Sequence, residues 1–480
     1  MSQSLANARE RRVDNNSGEL SLATIPDLIQ DGGVFVDGDW VESKDQDPNG
    51  DIRLIQLADL GDGVYRNKSA RFLTSAKAKE LRCTFLEAGD LLIARMPDPL
   101  GRACIFPGDE KPSVTVVDVC IVRTGKGGTN HRWLMHRINS AEIRSAIAGL
   151  QSGSTRKRIS RSNLARIKFS VPAADEQRRI VAEIEKQFTR LDAGVASLKR
   201  VQTALKRYRA SVLKAACEGR LVPTEAELAR VENRSYESAD VLLQRILRER
   251  REKWNGNGKY KEPMSTRSVD LPQPSDGWTW TTVEQLAAPE PNSITDGPFG
   301  SNLKTEHYTS TGPRVIRLQN VGDGVFIDEE AHISGTHFER LRKHRVFAGD
   351  LVIAALGENP PRSCVIPESL GSATVKADCI RFKPHADVAA KYANFALNSE
   401  PVRKRTKNIV HGVGRPRLNL SEIKSIAIPL PPLAEQQRIV AEAERRLSVI
   451  DEAETVVTAN LKRSARLQQS ILRSTFSGQP

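Results

Sequence analysis

The chain has 480 residues, a formal net charge of +13 and 39% hydrophobic residues. This length indicates about two to four domains, and the apolar content excludes disorder over the whole chain. Apolar runs such as LLIA at 91–94 are far too short to span a membrane, and the N-terminus lacks the hydrophobic run of a signal peptide, so we expect a cytoplasmic protein.

Six segments follow one another along the chain. Short apolar stretches punctuated by Gly, Pro and Asp predict mixed α/β domains, whereas long stretches with a helical period and no Pro predict helices. The predicted segments are a flexible N-terminus at 1–20, a globular α/β domain at 21–170, a central helical and coiled-coil region at 171–253, a linker at 254–275, a second globular α/β domain at 276–429 and a C-terminal coiled-coil helix at 430–480.

The chain contains an internal repeat. RLIQLADLGDGVY at 53–65 matches RVIRLQNVGDGVF at 314–326, and VPAADEQRRIVAEIE at 171–185 matches LPPLAEQQRIVAEAE at 430–444. Several collinear matches at nearly constant spacing indicate two copies of one unit, each a globular domain followed by a long helix.

Both long helices carry a heptad pattern. In the first helix, the positions at alternating spacings of four and three from Ile184 to Val212 are apolar except Gln202 and Arg209. In the second helix, those from Ala443 to Ile471 are apolar except Glu454, Ser464 and Gln468. Because a single apolar stripe cannot bury itself, we expect the two helices to pack against each other. The pattern alone leaves their relative direction open.

Two basic windows hold the strongest functional signal. Residues 144–168 contain seven Lys or Arg and no acid, and residues 403–427 contain seven against one Glu. In each window a glycine, Gly153 or Gly412, precedes alternating arginines, a pattern that can approach a phosphate backbone and extend guanidinium groups to phosphates or guanine edges. Its duplication favours nucleic-acid contact over a solvated basic surface. With only 5% aromatic residues, double-stranded DNA is a better fit than single strands.

Other types of chemistry find weaker support. The six cysteines include no CxxC pair, so reduced thiols are expected and a metal site is not. Asp27, Glu42 and Lys44 satisfy the loose spacing of a magnesium-dependent nuclease, which is one alternative function. A coiled-coil scaffold that binds RNA or other polyanions is another.

The order of these parts resembles the DNA-specificity subunit of type I restriction-modification systems. The resemblance covers about 21–480 and rests on several motifs: EQRRIVAEIE at 176–185, EQQRIVAEAE at 435–444, SVLKAACEGRL at 211–221, SILRSTFSGQ at 470–479 and ITDGPFGSNLK at 294–304. The first domain departs from the pattern, because DGDWVESKD at 37–45 stands where the second has DGPFGSNLK.

The resemblance implies an α+β fold in which two globular α/β target-recognition domains alternate with two long helices. The helices would pair as an antiparallel coiled coil, with an internal pseudo-two-fold repeat. The chain would be non-catalytic, with no metal or cofactor of its own, and would read a bipartite, asymmetric double-stranded DNA site. Its partners would be two copies of a DNA-methylation subunit and a restriction subunit, which would use S-adenosylmethionine, ATP and Mg²⁺.

Site residues follow by motif match and from the basic windows. The residues expected to contact DNA are Arg156, Lys157, Arg158, Arg161, Ser301, Asn302, Lys304, Arg403, Lys404, Arg415 and Arg417. Those expected to hold a partner subunit, or else the helix junction, are Glu176, Gln177, Ile180, Glu435, Gln436 and Ile439.

Overall fold

A computed structural model describes residues 21–477, apart from 98, 154–155, 257, 267–270, 358 and 413. The predicted flexible N-terminus at 1–20 lies outside the described residues. The chain forms two compact units. Unit 1 combines the residues up to Lys199 with those from Thr458 onward, and unit 2 is Arg200–Val457. Each long helix therefore contributes one half to each unit.

The globular domain of unit 1 is built on a four-stranded antiparallel sheet, β2-β8-β5-β6, beside a smaller sheet, β4-β3-β7, and the pair β1-β9. Its strands are β1 (Ser21–Ala23), β2 (Val34–Asp37), β3 (Ile52–Ile55), β4 (Phe72–Leu73), β5 (Leu91–Ala94), β6 (Ala103–Ile105), β7 (Ser113–Thr115), β8 (Val119–Arg123) and β9 (Phe169–Val171). Its helices are α1 (Ser75–Glu80), α2 (His131–Ile138), α3 (Ala141–Gly149) and α4 (Arg161–Leu164), followed by the long α5 (Ala174–Cys217), which continues into unit 2.

The globular domain of unit 2 repeats this topology, with sheets β11-β18-β15-β16, β13-β12-β17-β14 and β10-β19. Its helices are α6 (Glu225–Glu232), α7 (Ala239–Glu252), α8 (Gly335–Arg340), α9 (Ala390–Asn398), α10 (Glu400–Thr406), α11 (Leu420–Ser425) and the long α12 (Leu433–Ser477). Its strands are β10 (Thr279–Thr282), β11 (Ile294–Thr295), β12 (Tyr308–Ile316), β13 (His332–Ile333), β14 (Arg345–Val346), β15 (Leu351–Ala354), β16 (Arg362–Val365), β17 (Ala373–Val375), β18 (Cys379–Phe382) and β19 (Ala427–Leu430).

The central strand of each main sheet is buried on both faces, as its continuous apolar sequence predicts. Every residue of β5 (Leu91–Ala94) and β15 (Leu351–Ala354) is inaccessible to solvent. The predicted mixed fold of two α/β domains, each followed by a long helix, is confirmed.

In unit 2 the two long helices run antiparallel. Val212 and Ala216 at the end of α5 share an apolar cluster with Ile439 and Ala443 at the start of α12. One turn earlier on α5, Arg209 forms ion pairs with Asp451 and Glu454, further along α12. The predicted seam is therefore the packed surface, and its direction agrees with the one implied by the family.

The predicted central helical region at 171–253 is not one continuous helix. Its part at 224–253 is two helices, because Asn233 adopts a left-handed conformation (φ 49°) that ends α6. Of these, α7 packs on the core of the second globular domain through the apolar face that includes Leu242 and Ile246. No helix in the described part of the chain is long and apolar enough to cross a bilayer.

A buried asparagine marks the end of the first of two consecutive helices in each globular domain. Asn398 ends α9, and its side chain accepts a hydrogen bond from the Ser363 N–H (3.1 Å) and donates to the Ser363 carbonyl (3.0 Å). Asn139 pairs with both backbone groups of Ala103 in the same way, at 2.9 and 2.8 Å. Each asparagine thus provides hydrogen-bond partners for backbone groups of an edge strand, β16 or β6.

We predict that Asn398→Ala lowers the free energy of unfolding by at least about 2 kcal/mol, because two buried backbone groups of Ser363 lose their partner. Thermal and urea unfolding of the full chain measure this, with Lys407→Ala, at an exposed position nearby, as the control. Equal stability of the two variants would contradict the structural role of Asn398.

Candidate nucleic-acid interface

The alternating arginines of both basic windows lie on short β-bridged loops, here named the arginine hairpins. In unit 1, Ser152 and Arg158 exchange two backbone hydrogen bonds of 2.8 and 2.9 Å, and in unit 2, His411 and Arg417 do so at 3.0 and 2.8 Å. The described residues between each pair belong to the turn. The same hairpin is therefore present in both copies.

Each hairpin requires the glycine that begins it. Gly153 and Gly412 both have φ of +96°, a conformation that disfavours other residues. A Cβ on Gly153 would lie 2.4 Å from the Arg156 carbonyl oxygen, and one on Gly412 would lie 2.6 Å from that of Arg415. The sequence pattern of a leading glycine thus has a steric cause.

The last arginine of each hairpin is paired with an aspartate that precedes a core strand. The guanidinium of Arg417 lies 2.8 Å from the Asp378 carboxylate, and that of Arg158 lies 3.7 Å from the Asp118 carboxylate. The tip residues Arg156 and Arg415 are exposed, as is Lys157. Sequence reasoning missed both aspartates, although each directly precedes the last strand of its main sheet.

An exposed aromatic ring accompanies each hairpin. The Phe299 ring lies under the Arg417 guanidinium, with 5.9 Å between Cζ and the ring centroid. In unit 1, Trp40 lines a cleft of about 500 Å³ together with Arg156 and Arg158. Trp40 and Phe299 occupy equivalent places in the loops 37–45 and 296–304, here named the aromatic loops. The first aromatic loop, which departs in sequence, therefore lies beside its hairpin like the second.

Comparison with known proteins agrees with this architecture. A family model described as the type I restriction modification DNA specificity domain matches residues 362–455. The Escherichia coli type I restriction enzyme EcoBI specificity subunit is 23% identical over 371 residues, which cover 77% of this chain and 70% of that one. The EcoDI specificity subunit of the same species is 23% identical over 338 residues, 68% of this chain and 65% of that one, so the chain spans just under two thirds of that relative.

A solved structure from work on complex assembly and conformational transition of the type I restriction-modification system has the same fold. It is 17% identical, covers 93% of this chain and 98% of its own, and gives a TM-score of 0.56. The chain is therefore similar to type I restriction-modification DNA specificity subunits over most of its length. The matched region 362–455 includes the second arginine hairpin and the start of the second long helix.

The other basic residues predicted at the nucleic-acid interface have different surroundings. Lys404 is exposed, and Arg161, whose side chain is 43% exposed, donates to the Phe35 carbonyl at 3.0 Å. Ser301, Asn302 and Lys304 are exposed in the second aromatic loop. All of these side chains stay candidates for DNA contact.

Arg403 forms several contacts within its own domain, and the DNA contact predicted for it stays a prediction. Its guanidinium donates to the Pro361 carbonyl (3.0 Å), the Asn398 side chain (2.8 Å) and the Asp323 carboxylate (2.7 Å). The counterpart in unit 1, Arg144, makes the same set of contacts with Leu100, Asn139 and Asp62. These arginines hold the turn that follows β5 or β15 in place.

The glutamine of each EQ motif joins a long helix to its globular domain. Gln436 accepts a hydrogen bond from the Ala389 N–H (2.9 Å) at the start of α9 and donates to the Pro431 carbonyl (3.0 Å). Gln177 bonds to Asn130 and Pro172 in the same manner, at 2.9 and 2.8 Å. Both side chains are buried at the helix junction, and contact of these glutamines with a partner subunit stays a prediction.

The remaining partner candidates divide by exposure. Ile180, Ile439 and Glu435 are buried within their units, whereas the Glu176 side chain is 43% exposed. Direct contact of these residues with a partner subunit stays a prediction. Of the six candidates, Glu176 has the exposed surface that such a contact needs.

The two glutamates of the EQ motifs have diverged. Glu435 is fully buried and accepts hydrogen bonds from the Glu225 N–H (2.8 Å) and the Trp278 indole N–H (2.9 Å). Burial raises the pKa of Glu435 to about 7. Burial also acts on Glu225, but its ion pairs with Arg438 and Arg234, both 2.6 Å long, outweigh this and lower the pKa of Glu225.

We predict that the stabilisation contributed by Glu435 decreases as pH rises. Folded Glu435 keeps its proton up to pH 7, whereas the unfolded side chain loses it near pH 4.5, so ionisation between these values destabilises the fold by at most about 3 kcal/mol. The difference in the free energy of unfolding between wild type and Glu435→Ala should therefore be larger at pH 5 than at pH 8. Glu176→Ala is the matched control, and a difference that grows with pH would contradict the prediction.

The residues of the nuclease alternative are held in local contacts. The Asp27 carboxylate accepts from the N–H and hydroxyl of Thr24 at 2.8 and 2.7 Å, and Glu42 pairs with Lys44 at 2.7 Å. Among the described residues, the group of three potential metal ligands close enough to share an ion is Glu249, His385 and Asp387, in unit 2. The arrangement gives the nuclease alternative no support.

All six cysteines are free thiols, as predicted. Five are buried and Cys83 is half-buried. Burial raises the pKa of Cys83, Cys104 and Cys364 to about 12. These thiols are therefore packing residues without nucleophilic character.

Proposed function

We propose that this chain is the non-catalytic subunit that reads a bipartite, asymmetric double-stranded DNA sequence in a type I restriction-modification complex. Each unit contains one target-recognition domain, and each of the two domains would read one half-site. The observation that carries the proposal is the duplicated arginine hairpin with an exposed aromatic ring beside it. Guanidinium groups can bind phosphates or base edges in the major groove, and an aromatic ring can contact a thymine methyl group.

The charge of the hairpins supports DNA as the ligand. The tip residues Arg156, Lys157 and Arg415 are exposed, and no ion pair involves them within the described residues. Unpaired cations at a loop tip can replace the counterions condensed on a duplex. We infer that the tips hold the DNA backbone while other groups of the domain read bases.

We predict that the double variant Arg415→Ala/Arg417→Ala abolishes recognition of one half-site and Arg156→Ala/Arg158→Ala that of the other. The bound sequence is first obtained by selecting duplexes from a random library, and affinities are then measured for duplexes with either half scrambled. Each double variant should become indifferent to scrambling of one half only. Arg190→Ala, an exposed arginine on α5, is the control for loss of charge.

If each double variant lost both half-sites together, one domain per half-site would be wrong. If wild type selected no sequence, the proposed function itself would be wrong.

The long helices are the proposed dock for the methylation subunits. In unit 2, Val201 and Tyr208 on α5 are 42% and 46% exposed, and Val449 and Val456 on α12 are 60% and 54% exposed. Each pair is seven residues apart, so its members share one helix face. From their heptad positions, both pairs flank the same side of the antiparallel seam, which creates an apolar surface typical of a protein interface.

We predict that Tyr208→Asp combined with Val456→Asp weakens binding of the methylation subunit at least about tenfold, because charges would be buried in an apolar contact. Co-purification and titration of the two subunits measure this. Ser448→Asp, at an exposed position on the other side of α12, should have little effect. Unchanged assembly of the double variant would remove this surface from the dock.

Cofactors and catalysis are proposed for the partners of this chain. Two copies of a methylation subunit would bring S-adenosylmethionine, and a restriction subunit would use ATP and Mg²⁺. The chain itself would supply sequence recognition and the frame on which they assemble.

A further inference from the structure

We propose that each target-recognition domain reads a guanine through one arginine that an aspartate holds in place. These arginines are Arg158, held by Asp118, and Arg417, held by Asp378. The inference rests on the proposed function, since it names the base that the hairpins would read. It predicts that each half-site contains at least one guanine whose Hoogsteen edge is essential.

The backbone of each reading arginine is fixed on both sides. The reading arginine itself makes two backbone hydrogen bonds across the hairpin. The residue that follows it is bonded to the main sheet. The Ile159 N–H donates to the Arg95 carbonyl (3.0 Å), and the Leu418 N–H donates to the Ala355 carbonyl (2.8 Å). Ile159 and Leu418 are buried, so the preceding side chain of this extended segment points away from the core.

The aspartate then fixes the side chain without covering it. Each aspartate's backbone carbonyl accepts from the end of the same core strand, from Arg95 N–H at 2.8 Å and from Ala355 N–H at 2.9 Å. The guanidinium of Arg158 lies 3.7 Å from the Asp118 carboxylate and that of Arg417 lies 2.8 Å from the Asp378 carboxylate, yet the two arginine side chains remain 44% and 50% exposed. A guanidinium has five donors, so a free fork remains that matches O6 and N7 of guanine.

The carboxylate also argues against a simple phosphate contact. An aspartate beside the guanidinium cancels most of its net charge and repels a phosphate group. Guanine presents two neutral acceptors, which tolerate such a neighbour. By contrast, the tip arginines Arg156 and Arg415 have no ion-pair partner within the described residues, which suits them to phosphates.

An aromatic ring lies near each reading arginine. The Arg417 Cζ lies over the Phe299 ring, 5.9 Å from its centroid, and Trp40 and Arg158 line the same cleft. Both rings are exposed, at 47% and 68%. A planar guanidinium can stack on such a ring while its edge binds a base, whereas the ammonium of a lysine provides neither the plane nor the fork. Arg→Lys substitution therefore separates base reading from charge.

The test replaces each guanine of the selected duplex, one at a time, with 7-deazaguanine, which lacks the N7 acceptor but pairs normally. Binding of the full-length chain should fall at least about tenfold at one guanine in each half-site. Arg417→Lys should abolish the sensitivity in one half-site and Arg158→Lys in the other. Arg415→Ala should instead weaken binding at all sequences, with a smaller salt dependence, and retain both sensitivities.

Asp378→Asn supplies a second readout. It should leave binding to random DNA undiminished, since a negative charge is removed, but reduce discrimination against 7-deazaguanine in one half-site. Thermal unfolding shows whether each variant is folded, and the 7-deazaguanine series on wild type requires no variant at all.

Two results overturn the inference while leaving the proposed function intact: sequence-selective binding that no 7-deazaguanine weakens, or a guanine dependence that persists in both lysine variants. Absence of any sequence preference would overturn the inference together with the proposed function.

Discussion

The apolar seam of the long helices is the constraint on which the rest of the structure depends. Neither helix can bury its own stripe, so each needs the other. In unit 2 the end of α5 meets the start of α12 through Val212, Ala216, Ile439 and Ala443. Each compact unit therefore combines a globular domain, the start of the helix that follows it and the end of the other helix. A duplicated sequence gives two equivalent units only because the helices are antiparallel.

Buried polar side chains then connect each globular domain to this frame. Gln177 and Gln436 tie the start of a long helix to the start of α2 or α9, and Asn139 and Asn398 tie the ends of those helices to an edge strand. Such contacts are directional, and breaking one orphans a buried backbone group. They fix the orientation of each domain on its own helix more strictly than apolar packing would. The arginine hairpins depend on this rigidity, since base reading tolerates little displacement.

The repeat, the heptads and the basic windows made the fold and the location of the hairpins predictable from sequence. Roles within the windows were not, because charge patterns do not distinguish exposed arginines from buried ones. Arg403 and Arg415 look alike in sequence, yet Arg403 is 19% exposed and bonded within the domain, whereas Arg415 is exposed at the tip. Trp40 and Asp118 were missed because their importance comes from tertiary proximity to residues more than 35 positions away. An alignment of the two copies could have indicated both residues, since Trp40 aligns with Phe299 and Asp118 with Asp378.

The net charge of +13 has a different meaning once the pairs are known. Although the two basic windows contain a net charge equal to the whole of it, several of their cations face carboxylates from elsewhere in the domain: Arg144 with Asp62, Arg158 with Asp118, Arg403 with Asp323, Arg417 with Asp378 and Lys424 with Glu284. The charge available to attract a duplex is therefore smaller than the count, and the exposed tip residues Arg156, Lys157 and Arg415 supply part of it. An interface selected for affinity alone would have left these cations unpaired. Aspartates beside exposed arginines lower the attraction to any phosphate backbone. They also fix the donors that a base edge must match, so this arrangement favours discrimination between bases over non-specific attraction.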